Sequence, residues 1–233
     1  MNLKNKTAFI TGAGSGIGFA IASRLAQEGV HTVLASRRID LLRQQAAEIA
    51  RTTGTKSIAV GMDLRNSQSI RQGVLEALQT FPEIDILVNN SGVGAGALAV
   101  DLAEDEWNRV MDTNLKGAFL VTQQLLPGMI RRKSGHIVNI ASQAGKHGYA
   151  NATVYCASKF GLIGFGQALQ EEVRQYNIKV TNLLPALVQV PPPANESEVR
   201  GGVLQVEDLA ETVRFVLRQP ERVKIEDIGL YHS

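Results

Sequence analysis

Tyr155-Cys156-Ala157-Ser158-Lys159 sets a phenol and an ammonium four residues apart. On a helix, positions i and i+4 share a face, so the two groups would point the same way. A free tyrosine has a pKa near 10 and is a weak base at neutral pH. A cation within a few ångströms favours the phenolate and lowers that pKa. The pair reads as a general acid/base working near neutrality. The same spacing also occurs on solvated helix faces, where it does no chemistry, so the elements around it must decide.

A second chemical signal stands at the other end of the chain. Gly12, Gly16 and Gly18 lie between a short apolar run, residues 7–11, and a helical pattern with Ile17, Ile21 and Leu25 on one face. A glycine turn between a strand and a helix lets backbone N–H groups approach a pyrophosphate at the helix N-terminus. The turn 12–18, with Ser15 and Ile17 in it, is therefore a candidate dinucleotide cradle. Its spacing, G-x-x-x-G-x-G, departs from G-x-G-x-x-G. At the end of the second apolar run an acidic residue would accept from the ribose 2′-hydroxyl of NAD. This chain has Ser36-Arg37-Arg38 there instead. Forked guanidinium groups suit the 2′-phosphate of NADP. NADP(H) is the expected cofactor, with NAD(H) as the alternative.

The elements that carry these signals alternate. Apolar runs at 30–36, 57–62, 84–88, 136–141, 178–184 and 224–230 are separated by helical patterns at 39–52, 67–78, 105–113, 117–132, 153–176 and 206–218. Continuous apolar strands between helices mean a parallel sheet covered on both faces. Pro127 should kink its helix, because it cannot donate to the backbone ladder. The chain of 233 residues is 44% hydrophobic, enough for a full core, and its formal net charge is +2. That balance offers no electrostatic footprint for nucleic acid or an anionic membrane. One cysteine, Cys156, excludes an internal disulfide and fits a reducing compartment. No apolar run reaches ~18 residues. A cytoplasmic protein is expected. The four histidines lack metal-ligand spacing, so no metal site is expected.

In this order the motifs resemble the short-chain dehydrogenase/reductase family, nearly end to end. TGAGSGIG looks like its cofactor turn. Asp63-Leu64 follows the third strand, where the family holds adenine through an aspartate and the next backbone amide. Asn89-Asn90-Ser91-Gly92 is similar to the family's N-N-A-G, which marks Asn90 and Gly92 as cofactor residues. Asn114 lies in D-T-N-L-K-G and matches the helix asparagine of the catalytic tetrad. Asn139-Ile140-Ala141-Ser142 matches the strand motif that ends in the catalytic serine. Tyr155 follows thirteen residues later, and Lys159 completes Y-x-x-x-K. Five motifs over some 150 residues are far more specific than any one of them.

The resemblance implies a doubly wound, Rossmann-type parallel sheet of about seven strands in one domain, 1–233. The cofactor half would span about 1–140, the catalytic and substrate half about 141–233, with a short substrate loop at 191–204. It implies an NAD(P)(H)-dependent oxidoreductase acting between a carbonyl and a secondary alcohol, assembled as a homodimer or homotetramer on the helices at 105–132 and 153–176. IEDIGLY near the C-terminus is similar to the branch that handles 3-oxo or 3-hydroxy acid substrates. In the implied mechanism Ser142 and Tyr155 hold the carbonyl oxygen, and Tyr155 exchanges the proton. Lys159 stabilises the phenolate and bonds the nicotinamide ribose, and Asn114 holds a water. His147, in the loop between Ser142 and Tyr155, is a candidate substrate contact.

Two departures stand out. Where the family has P-G-x-V-x-T, this chain has Pro185-Ala186-Leu187-Val188-Gln189-Val190. Pro185 and the Val188 backbone remain as contacts to the cofactor carboxamide, but Val190 lacks the hydroxyl that would bond it, worth about 1 kcal/mol. These changes support an alternative reading, a non-catalytic NAD(P)-binding regulatory protein. The intact Asn114, Ser142, Tyr155 and Lys159 oppose it.

Overall fold

All five residues of the first strand are buried, as a strand covered on both faces requires. The computed structural model describes residues 2–190 and 201–232. Most of the expected substrate loop, residues 191–200 with the triple proline, lies outside the described residues. Among those described, seven parallel strands form one sheet: β1 (Thr7–Thr11), β2 (His31–Ser36), β3 (Ser57–Gly61), β4 (Ile86–Asn89), β5 (Gly135–Ile140), β6 (Ile178–Pro185) and β7 (Asp227–Leu230). Their order is β3-β2-β1-β4-β5-β6-β7. The order reverses between β1 and β4, and such a switch point opens a crevice at the C-terminal strand ends.

Alternate side chains of each apolar run feed two cores. Ile10, Leu34, Val88 and Val138 pack with α1 (Gly16–Gln27), α2 (Ile39–Thr53) and α7 (Val206–Arg218) on one face. Phe9, Val33, Leu87 and Ile137 pack with α3 (Ser67–Thr80), α5 (Gly117–Arg132) and α6 (Thr153–Val173) on the other. Fully burying one such side chain contributes about 1.5–3 kcal/mol. Loss of water contact on both faces therefore holds the strands that carry the crevice. No helix among the described residues is long and apolar enough to cross a membrane.

Local departures from the expected pattern have physical causes. The helical stretch around Asn114 is not two separate segments. α4 (Glu104–Met111) passes through one turn of π-helix, Asp112–Lys116, directly into α5. α5 then runs unbroken through Pro127 to Arg132, so the proline does not end it. The last strand begins at Asp227, not at 224. Ahead of it the Thr181 hydroxyl donates to the Ile225 carbonyl at 2.6 Å, and the Asn182 N–H to the Glu226 carbonyl at 2.7 Å.

Candidate active site

At the nucleotide side, the turn after β1 leads into α1 with no side-chain cap and no acid in the first turn. Its orphan N–H groups and the helix dipole favour an anion. Ser15 is the N-cap, and its Oγ accepts from Arg38 Nη2 at 2.9 Å; the same guanidinium reaches the Gly14 carbonyl at 3.4 Å. Ser36 Oγ accepts the Arg38 backbone N–H at 3.3 Å. Serine, turn and arginine thus form one cluster at the tip of β2. Beneath it, Asn90 Nδ2 donates to the Thr11 and Gly12 carbonyls at 3.0 and 3.2 Å and ties the turn to the end of β4. Gly18 packs against that amide so closely that a Cβ would lie 2.5 Å from it.

A cavity of about 450 Å³ runs along this side. Gly12, Ser15, Gly16 and Ile17 from the turn line it, with Ser36, Arg37 and Arg38. Asp63, Leu64, Asn90 and Gly92 lie along its wall as expected, whereas Gly18, Tyr155, Lys159, Pro185 and Val188 of the expected set do not line it. The Asp63 carboxylate is already engaged by Arg65, at 3.0 Å, and this pairing holds its pKa below the usual value. Asp63 does not cap α3; Asn66 does, accepting from the Gln68 and Ser69 N–H groups. Arg65, Arg109 and Val93 also line the cavity and were not anticipated. Arg65, two residues after the expected aspartate, was the readable signal.

The reacting side chains gather beside this cavity rather than in its wall. Ser142 leaves β5 in extended conformation, and its Oγ accepts the Ala144 N–H at 3.1 Å. Ser142 is also close enough to the Tyr155 phenol to pull its pKa down against burial. Lys159, buried one turn further along α6, has its Nζ 5.7 Å from the Tyr155 ring centroid, within cation–π range. Nζ donates to the Ile140 carbonyl at 2.8 Å.

The expected lowering of the tyrosine pKa by this lysine is not found. Burial holds the Tyr155 phenol above its ordinary value, and only Ser142 opposes that. The ammonium lies over the ring and is bonded to a carbonyl. Burial without a carboxylate partner pushes Lys159 itself down to about 8.

Asn114 sits in the π-turn, a device that often marks functional positions. Its Oδ1 accepts the Val93 N–H at 2.8 Å. Its Nδ2 donates to the Val93 carbonyl at 2.9 Å and to Ser158 Oγ at 3.0 Å. Both amide N–H groups are engaged. The side chain fastens the loop after β4 to α6. His147 is exposed, and among the described residues nothing links its ring to Ser142 or Tyr155. Cys156 is buried, with Sγ 3.8 Å from the His147 carbonyl.

Pro185 ends β6. Val188 bridges to Leu204, and Gln189 N–H donates to the Leu204 carbonyl at 2.8 Å. The unusual segment 185–190 is thus pinned rather than loose. Val190 is half exposed and reaches the cavity wall against Gly16.

A buried polar ladder below these residues escaped sequence reading. Asn182 Nδ2 donates to Asp227 Oδ1 at 2.9 Å, Asn139 Nδ2 to Asn182 Oδ1 at 3.0 Å, and Asn89 Nδ2 to Asn139 Oδ1 at 3.0 Å. The residues are in register across β4, β5, β6 and β7. An ionised carboxylate only accepts, so Asp227 orients every amide in the row. The far end leaves Asn89 Oδ1 buried without a partner.

A doubly wound parallel sheet with a phosphate-type turn at its switch point, and a Ser-Tyr-Lys cluster beside it, defines a dinucleotide-dependent class of protein. The short chain dehydrogenase family profile matches residues 6–200. The chain belongs to that family of oxidoreductases. It is 34% identical over 226 residues to an uncharacterized oxidoreductase of Staphylococcus aureus strain USA300, covering 97% of this chain and 96% of that one. Among solved structures it is similar to a metagenomic short-chain oxidoreductase in complex with NADP, with a TM-score of 0.87 and 32% identity, covering 100% and 99% of the two chains. It is also similar to a variant of an actinorhodin polyketide ketoreductase with NADPH, with a TM-score of 0.89 and 32% identity, covering 98% and 96%.

Proposed function

We propose that the protein is an NADP(H)-dependent reductase of ketones, with 3-oxo compounds as the favoured class and alcohol oxidation as the reverse reaction. The observation that carries this reading is the gathering of Ser142, Tyr155 and Lys159, with the Lys159 ammonium over the Tyr155 ring, beside a nucleotide-sized cavity. The uncapped start of α1 fits a pyrophosphate. Ser15, Ser36, Arg37 and Arg38 fit a 2′-phosphate, and no carboxylate stands at the β2 tip to repel it. Asp63 and Leu64 would flank adenine, and Pro185 and Val188 would meet the carboxamide. Bound NADPH supplies the hydride.

This chain's residues do the remaining work. Ser142 and Tyr155 hydrogen-bond the substrate carbonyl oxygen and polarise it. Tyr155 then gives up its phenolic proton to that oxygen as negative charge develops there. A phenol held above its ordinary pKa stays protonated and ready to donate at neutral pH. Lys159, with a pKa of about 8, carries most of its charge at pH 7 and would bond the nicotinamide ribose. Asn114 keeps the loop at Val93 and helix α6 in fixed relation, so that these groups do not drift.

The half-exposed Trp107, Phe119 and Phe160 on α4, α5 and α6 support assembly into a homodimer or homotetramer through those helices. NADPH oxidation over ketones, 3-oxo esters and aldehydes tests the activity. Arg38→Ala should lower kcat/KM for NADPH by roughly tenfold or more, the size of a lost charge-assisted hydrogen bond, and leave NADH little affected. NADH performing as well as NADPH in the wild type would refute the cofactor preference. Cofactor binding with no turnover on any carbonyl would favour a regulatory protein.

A further inference from the structure

Gln143, the residue after Ser142, is nearly fully buried and polar, and nothing in the proposed chemistry uses it. Its side chain joins three elements. Nε2 donates to the Leu184 carbonyl at 2.6 Å, one residue before Pro185. Oε1 accepts from the Tyr231 hydroxyl at 2.7 Å, across 88 residues of sequence. Its backbone carbonyl accepts from the Lys146 and His147 N–H groups at 2.9 and 3.0 Å, closing the turn that follows Ser142. The Tyr231 ring is largely exposed, so its hydroxyl reaches inward for this single bond. Gly229 makes room for it. A Cβ there would lie 3.2 Å from Gln143 Nε2 and 3.2 Å from the Tyr231 ring. The adjoining backbone is fixed by the Ala186 N–H, which donates to the Leu230 carbonyl at 2.8 Å.

We propose that Tyr231 and Gln143 are positioning residues: the C-terminal tyrosine latches the buried amide, and the amide holds the Ser142 turn at a fixed offset from the β6 end that meets the nicotinamide. A glutamine amide bonded at one end only can swing or flip, because both of its ends are polar. With Tyr231 engaged, Oε1 is anchored to the tail and Nε2 must face Leu184. The C-terminal tail thereby completes a reacting group that lies 88 residues earlier. Ser142 is the neighbour that pulls the Tyr155 pKa down, towards the phenolate. Loosening its turn should therefore be felt at Tyr155, which neither latch residue touches in any hydrogen bond.

This inference rests on Ser142 and Tyr155 being the reacting hydroxyls, so its test must not require turnover. The ring-carbon NMR shift of Tyr155 is followed against pH, assigned by its absence in Tyr155→Phe. Tyr231→Phe removes one oxygen from a largely exposed ring and should leave the fold intact. It is expected to move the Tyr155 titration upward by about half a pH unit, a threefold change in ionisation constant. Gln143→Met should do the same, and the double variant should go no further than the larger single shift, because the two residues act as one unit. In turnover, kcat should fall about three- to tenfold in Tyr231→Phe with KM for NADPH unchanged. A Tyr155 titration that stays put in Tyr231→Phe overturns the latch, even if the melting temperature drops. A titration that shifts in a protein with no carbonyl turnover upholds the latch and sinks the reductase reading instead.

Discussion

The two ends of the switch-point crevice hold their groups by different means. At the nucleotide end, Ser15 and Arg38 meet across 23 residues, and the turn itself presents backbone N–H groups to an open cavity. Those side chains are exposed or partly so, and they face whatever occupies the cavity. At the reacting end, the bonds span 44 residues from Asn114 to Ser158, 41 from Gln143 to Leu184 and 88 from Gln143 to Tyr231. Nearly all of those groups are buried, and several brace one another. The first end binds by arrayed, replaceable contacts. The second orients by a linked network, in which a buried polar atom left unpaired costs about 1–3 kcal/mol. Substitutions should separate the two: graded losses of affinity at one end, and collapses of rate at the other.

The largest effect should come from Tyr155→Phe. It removes the proton donor but keeps the ring against Lys159, so kcat should fall by about a hundred- to ten-thousandfold. The dissociation constant for NADPH should stay within about twofold, because the nucleotide end is untouched. Stopped-flow hydride transfer and cofactor fluorescence titration measure the two separately. A variant that keeps more than a tenth of wild-type kcat would remove Tyr155 from its role and erase the contrast between the ends.

The same contrast decides what could be read from sequence. The individual strands, the phosphate turn and the arginines at the β2 tip are local patterns, a few adjacent residues each. They were legible because the chemistry of a turn or strand tip is set by its neighbours in sequence. Ser142 and Asn114 became legible only through family motifs, since a lone serine or asparagine carries no pattern. The Asn89–Asn139–Asn182–Asp227 ladder and the Gln143–Tyr231 bond were not legible. Each depends on register between strands that are distant in sequence, and period-2 alternation does not fix which polar residues face one another. The Tyr155–Lys159 pair shows a subtler limit. Helical spacing placed both groups on one face, but the direction of the tyrosine shift depended on burial, which spacing does not report.

A histidine on each side sharpens the comparison at intermediate size. His31, on β2, is partly exposed, stacks on Phe81 and accepts the Lys56 N–H at 3.1 Å. His136, on β5, is buried with Nε2 3.0 Å from Thr181 Oγ1, whose own proton goes to the Ile225 carbonyl. Nε2 must then carry the proton, and the ring is neutral. Burial, with Lys179 adding to it, pushes His136 from 6.5 down to about 3. Between those values the unfolded chain binds more protons than the folded one, so stability rises with pH across the window and is lost as pH falls from 6.5. The loss is about 1.4 kcal/mol per unit, or roughly 2 kcal/mol at pH 5. Thermal melts from pH 7 to pH 4 should show this slope in the wild type and a flatter one in His136→Gln. Equal slopes in the two would place the acid sensitivity elsewhere than in the β5–β6 half.

The smallest effect lies where the two ends meet. Val190 follows the reacting edge of β6, yet its side chain reaches the nucleotide turn. Its Cγ1 would lie 2.9 Å from a Cβ built on Gly16, whose φ of +56° is already a conformation that suits glycine. Valine there packs over the start of α1 without offering a hydrogen bond. Val190→Thr keeps the β-branch and adds one hydroxyl at a half-exposed position, where the usual cost of placing a hydroxyl among apolar groups is small. If the cofactor diphosphate or carboxamide lies within reach, the gain should be about 1 kcal/mol, near fivefold in the NADPH dissociation constant. The rate of hydride transfer should be unchanged at saturating cofactor, because a hydroxyl that only binds contributes equally to ground and transition states. A gain in kcat without a gain in affinity would show that this segment tunes the reacting end. In that case the division between binding and orienting would run through α1 rather than beside it.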